Sequence, residues 1–149
     1  MKMLDDTDKN ILRILQEDGS ISLSKIANKL NIGIATVHRR IEKMKMEGVI
    51  KKNIVVVDPE KIGKNLSAFI EIKSLPKYED DILDTLSLFD DILEIYWVTG
   101  DADFIIKLIV EDIKEFTKIM EKIRKIEGIV DTRSFIIAKT EKEEYKIKI

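Results

Sequence analysis

Along the first fifty residues, apolar side chains recur at helical spacing in three separate runs. Leu4, Ile11, Leu12, Ile14 and Leu15 predict a first helix over 4–17, with Asp5 or Asp6 as its cap and an acidic first turn that suits the helix dipole. Asp18 and Gly19 end it. Ser22 stands where it can cap a second helix with Ile26, Ala27 and Leu30 on its inward face. Asn31, Ile32 and Gly33 read as a tight turn. A third helix follows over 34–47, with Ile34, Val37, Ile41 and Met44 inward and Gly48 as its stop. Three short helices with a tight turn between the second and third follow the helix-turn-helix plan. Val49, Ile50 and residues 53–57 look like strand, expected as a wing or arm. Asp58 and Pro59 begin one helical turn that Gly63 closes.

Beyond Gly63 the pattern changes. Strands are expected over 66–72, 92–98, 103–110 and 129–139, and helices over 78–89 and 113–126. Ile82, Leu83, Leu86 and Phe89 face inward on one helix; Phe116, Ile119, Met120 and Ile123 do so on the other. The order βαββαβ is that of the ferredoxin-like split unit. The predicted fold class is therefore α+β in two domains. Residues 1–57 form the helix-turn-helix with its arm, 58–63 a linker, and 64–149 the ferredoxin-like domain. Residues 140–149, rich in Lys and Glu, read as a tail or an added edge strand.

Charge is divided between these domains. Residues 1–57 hold 11 Lys and Arg against 7 Asp and Glu, and the remainder holds 15 against 21. A basic first part suits a polyanion and an acidic second part does not. The absence of cysteine excludes disulfides, thiolate metal sites and cysteine nucleophiles. No apolar run is long enough to span a bilayer, and the start lacks the basic and apolar regions of a leader, so a cytoplasmic protein without membrane attachment is expected. The scarcity of labile side chains, with Gln16 the only glutamine, fits a thermophilic source.

At 100° per residue, Val37, Ile41 and Met44 cluster within about 60° on the third helix. The far side presents Ala35, Thr36, Arg39, Glu42 and Lys43, with His38 and Arg40 on opposite flanks. Thr36 lies near the helix start, where N–H groups favour phosphate. Arg39 has the reach for a bidentate contact with guanine. Arg40 and Lys43 look like phosphate contacts, as do Lys25 and Lys29 on the second helix. The expected DNA-binding set is Ser22, Lys25, Thr36, His38, Arg39, Arg40 and Lys43.

Over nearly its whole length the chain resembles the Lrp/AsnC, or feast-famine, transcriptional regulators. The resemblance is carried by Leu4, Asp5, Asp8, Ile11 and Leu12; by Ile21 and Ser22 with Leu30; and by Arg39, Arg40 and Ile41. Gly48, Val49 and Ile50, then Asp58 and Pro59, then Ile62 and Gly63 continue it. Its most specific piece is Val98, Thr99, Gly100, Asp101, Asp103 and Phe104. Two positions depart: Lys25 stands where the family commonly has Glu, and Ile34 where proline is frequent. The resemblance implies a winged helix-turn-helix followed by a ferredoxin-like, RAM- or ACT-like domain. That domain dimerises, assembles further into tetramers or octamers, and often binds an amino acid between dimers. A two-fold dimer implies a palindromic operator on double-stranded DNA.

The residues of the second domain bear on the same point. The near-continuous apolar runs over 92–98 and 104–110 suggest a sheet covered on both faces, and two helices cover only one. A second copy of the chain is the expected other cover, with a self-sufficient monomeric sandwich as the alternative. Trp97 reads as core or interface. The resemblance makes Thr99, Gly100, Asp101, Asp103, Thr132 and Ser134 the expected effector-binding residues, with carboxylates for an ammonium group and hydroxyls and backbone for a carboxylate. No catalytic set, metal site or cofactor is expected. Two other classes share the architecture or its DNA-binding half: a sirohaem decarboxylase-like enzyme working through histidine and arginine, and a sequence-indifferent architectural DNA-binding protein. The chain's one histidine is His38, on the third helix.

Overall fold

The fold is known from a computed structural model that describes residues 4–149. The first three residues, part of the stretch read above as free of a leader, lie outside it. The chain divides into two compact units. One holds residues 4–56 together with 142–149; the other holds 57–141. No helix among the described residues is long and apolar enough to cross a membrane.

The first unit is built from α1 (Asp6–Glu17), α2 (Leu23–Leu30) and α3 (Ile34–Met46). Asp5 caps α1: its carboxylate accepts from the Asp8 N–H at 2.8 Å, while the Asp8 carboxylate accepts from the Asp5 N–H at 3.3 Å. Ser22 caps α2 by accepting from the Lys25 N–H at 3.4 Å. Asn31 takes the left-handed conformation, with φ of 52°, that turns the chain from α2 into α3. Ile11, Leu12, Ile26, Ala27, Val37, Ile41 and Met44 form the core between the three helices.

Three expectations for this unit change. Residues 51–57 form no strand; Val55 is 86% exposed, and among the described residues no strand pairs with this segment. An extended segment becomes sheet only when a ladder partner satisfies its backbone. Ile34 is exposed rather than inward, because the helix begins there and the core lies one turn further on. The last residues are neither a free tail nor an edge strand of the sheet. They run beside α1, where the Gln16 side-chain amide accepts from the Ile147 N–H at 2.7 Å and donates to the Ile147 carbonyl at 3.0 Å. Arg13 donates to the Ile149 carbonyl at 2.7 Å, and Lys146 pairs with Glu17 at 2.9 Å.

The second unit contains β1 (Leu66–Ser74), α4 (Glu79–Leu86), β2 (Ile92–Trp97), β3 (Phe104–Val110), α5 (Ile113–Ile123) and β4 (Ile129–Ile136). A 3-10 turn over Glu60–Ile62 precedes them. The sheet order is β2-β3-β1-β4, antiparallel throughout. This is the expected split unit, with the first and third strands in the centre. Ala68, Ile70, Ile72, Phe104, Ile106, Leu108 and Val110 point to one face and are buried under α4 and α5 with Ile82, Leu86, Phe116 and Ile123. Leu83, expected inward, is exposed. The opposite face of the sheet carries Phe69, Tyr96 and Phe135, all exposed. Trp97 ends the edge strand β2 at 76% exposure and is not core.

Candidate functional site

On α3 the buried stripe of Val37, Ile41 and Met44 leaves the other side to Ala35, His38 and Arg39, all exposed, with Thr36 and Lys43 half-buried. The helix starts at Gly33 without a side-chain cap and has no acidic residue in its first turn. No side chain of the helix's own first turn therefore offsets the positive end of its dipole. Lys25 is exposed on α2, and the Ser22 hydroxyl is already engaged in capping that helix.

The two adjacent arginines differ. Arg39 is exposed and makes no ion pair among the described residues. Arg40 is turned back onto α1: one guanidinium nitrogen lies 2.7 Å from Asp5 Oδ2 and 2.8 Å from Asp8 Oδ1. Asp8 is buried, and the Arg40 Nε is buried without a hydrogen-bond partner among the described residues. The Asp8 and Asp5 carboxylates hold the Arg40 pKa above its ordinary value. Arg40, expected as a phosphate contact, joins α3 to α1 through this one guanidinium nitrogen. Lys43 lies 3.8 Å from Glu47 in an exposed pair, too weak in water to hold it from a phosphate.

In the second unit the loop from Val98 to Asp103 is closed by the Val98 N–H donating to the Asp103 carbonyl at 2.9 Å. Gly100 has φ of 137°, a backbone that side chains disfavour. Thr99, Gly100 and Asp101 are exposed. Asp103 faces inward: its Oδ2 accepts from the Ser74 N–H at 2.6 Å and the Ser74 hydroxyl at 3.1 Å, where β1 breaks register. That oxygen secures the bulge.

Thr132 and Ser134 lie opposite Ile72 and Ile70 in the β1–β4 register, so their side chains share the helix-covered face. Arg124 donates to the Thr132 hydroxyl at 3.1 Å. A cleft of about 90 Å³ opens beside the turn, lined by Glu71, Ile72, Lys73, Asp101, Ala102, Asp131 and Arg133. Of the six expected effector residues only Asp101 lines it. Asp131 and Arg133, which do line it, are the strand neighbours of Thr132 and Ser134, and alternation along β4 separates the two sets. Arg133 stands 3.4 Å from Glu71 across the strands. The cleft offers both signs of charge but is smaller than the several hundred Å³ of an ordinary ligand site.

A helix-turn-helix with an exposed cationic face, joined to a βαββαβ domain, defines a two-domain DNA-binding regulator. Comparison narrows this. Residues 4–51 match the family described as winged helix-turn-helix DNA-binding, and residues 67–147 match the Lrp/AsnC ligand binding domain. The transcriptional regulator FL11 of Pyrococcus furiosus is 35% identical over 99% of this chain and 97% of its own. The regulatory protein AsnC of Haemophilus influenzae is 32% identical over 91% and 92%. Escherichia coli AsnC superposes with a TM-score of 0.90 at 26% identity, covering 96% of this chain and 97% of that one. The feast or famine regulatory protein of M. tuberculosis, solved with L-methionine, superposes at 0.91 with 27% identity over 97% and 99%. The chain belongs to the Lrp/AsnC family and is a DNA-binding transcriptional regulator.

Proposed function

We propose that this regulator binds palindromic operators as a two-fold dimer and responds to an amino acid at the Gly100 turn. The observation that carries the DNA-reading part is the contrast between the arginines. Arg40 is spent on Asp5 and Asp8, while Arg39 stands exposed on the outward face of α3. Arg39 reads a guanine, and Thr36, His38, Lys43 and Lys25 position the backbone. Dimerisation uses the open sheet face, where Phe69, Tyr96 and Phe135 await a second copy.

The sensing part rests on the charges of the cleft. An amino acid carries both signs, and the cleft offers Asp101, Asp131 and Glu71 with Arg133 and Lys73. Its small volume supports a site completed by a neighbouring copy, and a related regulator has been solved with L-methionine. Because the relatives are named as regulators, this reading is preferred to a decarboxylase of the same architecture.

The test is selection of preferred sites from random duplexes by the full chain, with and without each amino acid, L-methionine first. An inverted-repeat site whose affinity shifts with one amino acid is the expected result. Retention of every duplex alike would make the protein an architectural one, and a site unmoved by all twenty would remove amino-acid sensing.

A further inference from the structure

The periodicity of α3 sends Ile34 inward, yet it is 53% exposed and takes no part in the core that Val37, Ile41 and Met44 complete. A bulky apolar side chain thus stands in water at the first position of the helix that presents Arg39. Ala35 beside it is exposed as well. The Cα–Cβ bonds of a helix tilt toward its N-terminus, so Ile34 extends past the start of α3. Gly33 caps that start without a side chain, so no capping side chain stands in its way.

Recognition helices meet base edges through their N-terminal residues. Among the groups that bases present in the major groove, one is apolar: the C5 methyl of thymine. An isoleucine pressed on any other base edge would desolvate hydrogen-bonding groups without replacing their partners. Arg39 follows Ala35 by four residues, an axial rise of about 6 Å, or about two base-pair steps of about 3.4 Å. We propose that Ile34, with Ala35, reads a thymine methyl within about two base pairs of the guanine bound by Arg39. The proposal rests on the DNA-reading face assigned above and adds a base identity to it.

The test replaces that thymine by deoxyuridine, which removes the methyl and nothing else. Sites selected by the full chain should hold a thymine within two base pairs of a guanine in each half-site. By fluorescence anisotropy, the uracil duplex should bind the parent protein about fourfold more weakly, the factor that burial of one methyl-sized group supplies. Ile34→Ala should lose this discrimination while Ile34→Val keeps it, and both should melt like the parent because the side chain lies outside the core. A uracil penalty equal in the parent and in Ile34→Ala overturns the assignment, as does the absence of any penalty; either leaves sequence-specific binding intact. Failure to select any site overturns the DNA-reading face itself.

Discussion

The Arg40 guanidinium lies 2.8 Å from Asp8 Oδ1, joining a residue in the middle of α3 to the capping box of α1. Asp8 is buried and Arg40 is mostly covered, so the pair orients α3 from behind while its front stays open. The neighbouring arginine is thereby presented to solvent on a helix whose angle is set.

Substitution should separate the two arginines. Arg40→Ala strands the buried Asp8 carboxylate and is expected to lower stability by about 1–3 kcal/mol. Arg39→Ala should leave the melting temperature unchanged. It should weaken binding by about 1–3 kcal/mol and relax preference at one base position. Circular-dichroism melts and anisotropy on selected duplexes measure both; a stable Arg40→Ala protein with lost binding would return Arg40 to the DNA-contact set.

Lys43→Ala should weaken all duplexes alike. Removal of one phosphate contact lowers the slope of log affinity against log salt by about 1. A change confined to one sequence would make Lys43 a base reader instead.

Acid should destabilise the protein. The Asp8 N–H, and after it Arg40, hold Asp5 below the ordinary carboxylate value of 3.8. The Ser20 hydroxyl and N–H do the same for Asp18, and the Glu115 N–H for Asp112. Each native carboxyl binds its proton less readily than in the unfolded chain. Its stabilisation is therefore complete above the unfolded value and disappears as pH falls through the lower native one. Melting temperature should hold steady down to about pH 5 and fall below about pH 4. Asp5→Asn should shallow that fall; an identical acid limb would show that Asp5 has no part in it.

At the Gly100 turn, Asp103 and Asp101 should behave differently. Asp103→Ala leaves the buried Ser74 N–H and hydroxyl without their acceptor and is expected to cost about 1–3 kcal/mol. Asp101→Ala should melt normally and lose affinity for any amino acid that calorimetry shows to bind. Unaltered binding in Asp101→Ala would move the site away from the cleft.

Gly128 tests the packing of the second unit. Its φ is 92°, and an added Cβ would collide with the Tyr78 side chain. Gly128→Ala should be destabilised by about 2–4 kcal/mol, from the disfavoured backbone and the clash together. A melt close to the parent's would mean that Tyr78 moves aside readily.

Sheet-face assembly predicts that Phe135→Glu turns the dimer into a monomer. Light scattering on the full chain at micromolar concentration decides it, and a dimeric Phe135→Glu protein would place the interface elsewhere.

Much of this was legible in the chain, because it rests on short-range rules. The stripe of Val37, Ile41 and Met44, the Ser22 cap, a cap at Asp5 or Asp6, and the βαββαβ order each follow from residues within a few positions of one another. Tertiary structure alone decided the rest. Arg40 meets its aspartates from 32 and 35 positions away, and Asp103 meets Ser74 from 29. The Ile147 backbone pairs with Gln16 across 131 residues. The strand residues 129–136, IVDTRSFI, show no clear alternation, so the face given to Thr132 and Ser134 waited on the register with β1. Local periodicity records which side of an element is apolar. It does not record which distant group arrives there, and a charged side chain takes its role from that arrival: exposed like Arg39 it is available to a partner, and paired like Arg40 it belongs to the fold.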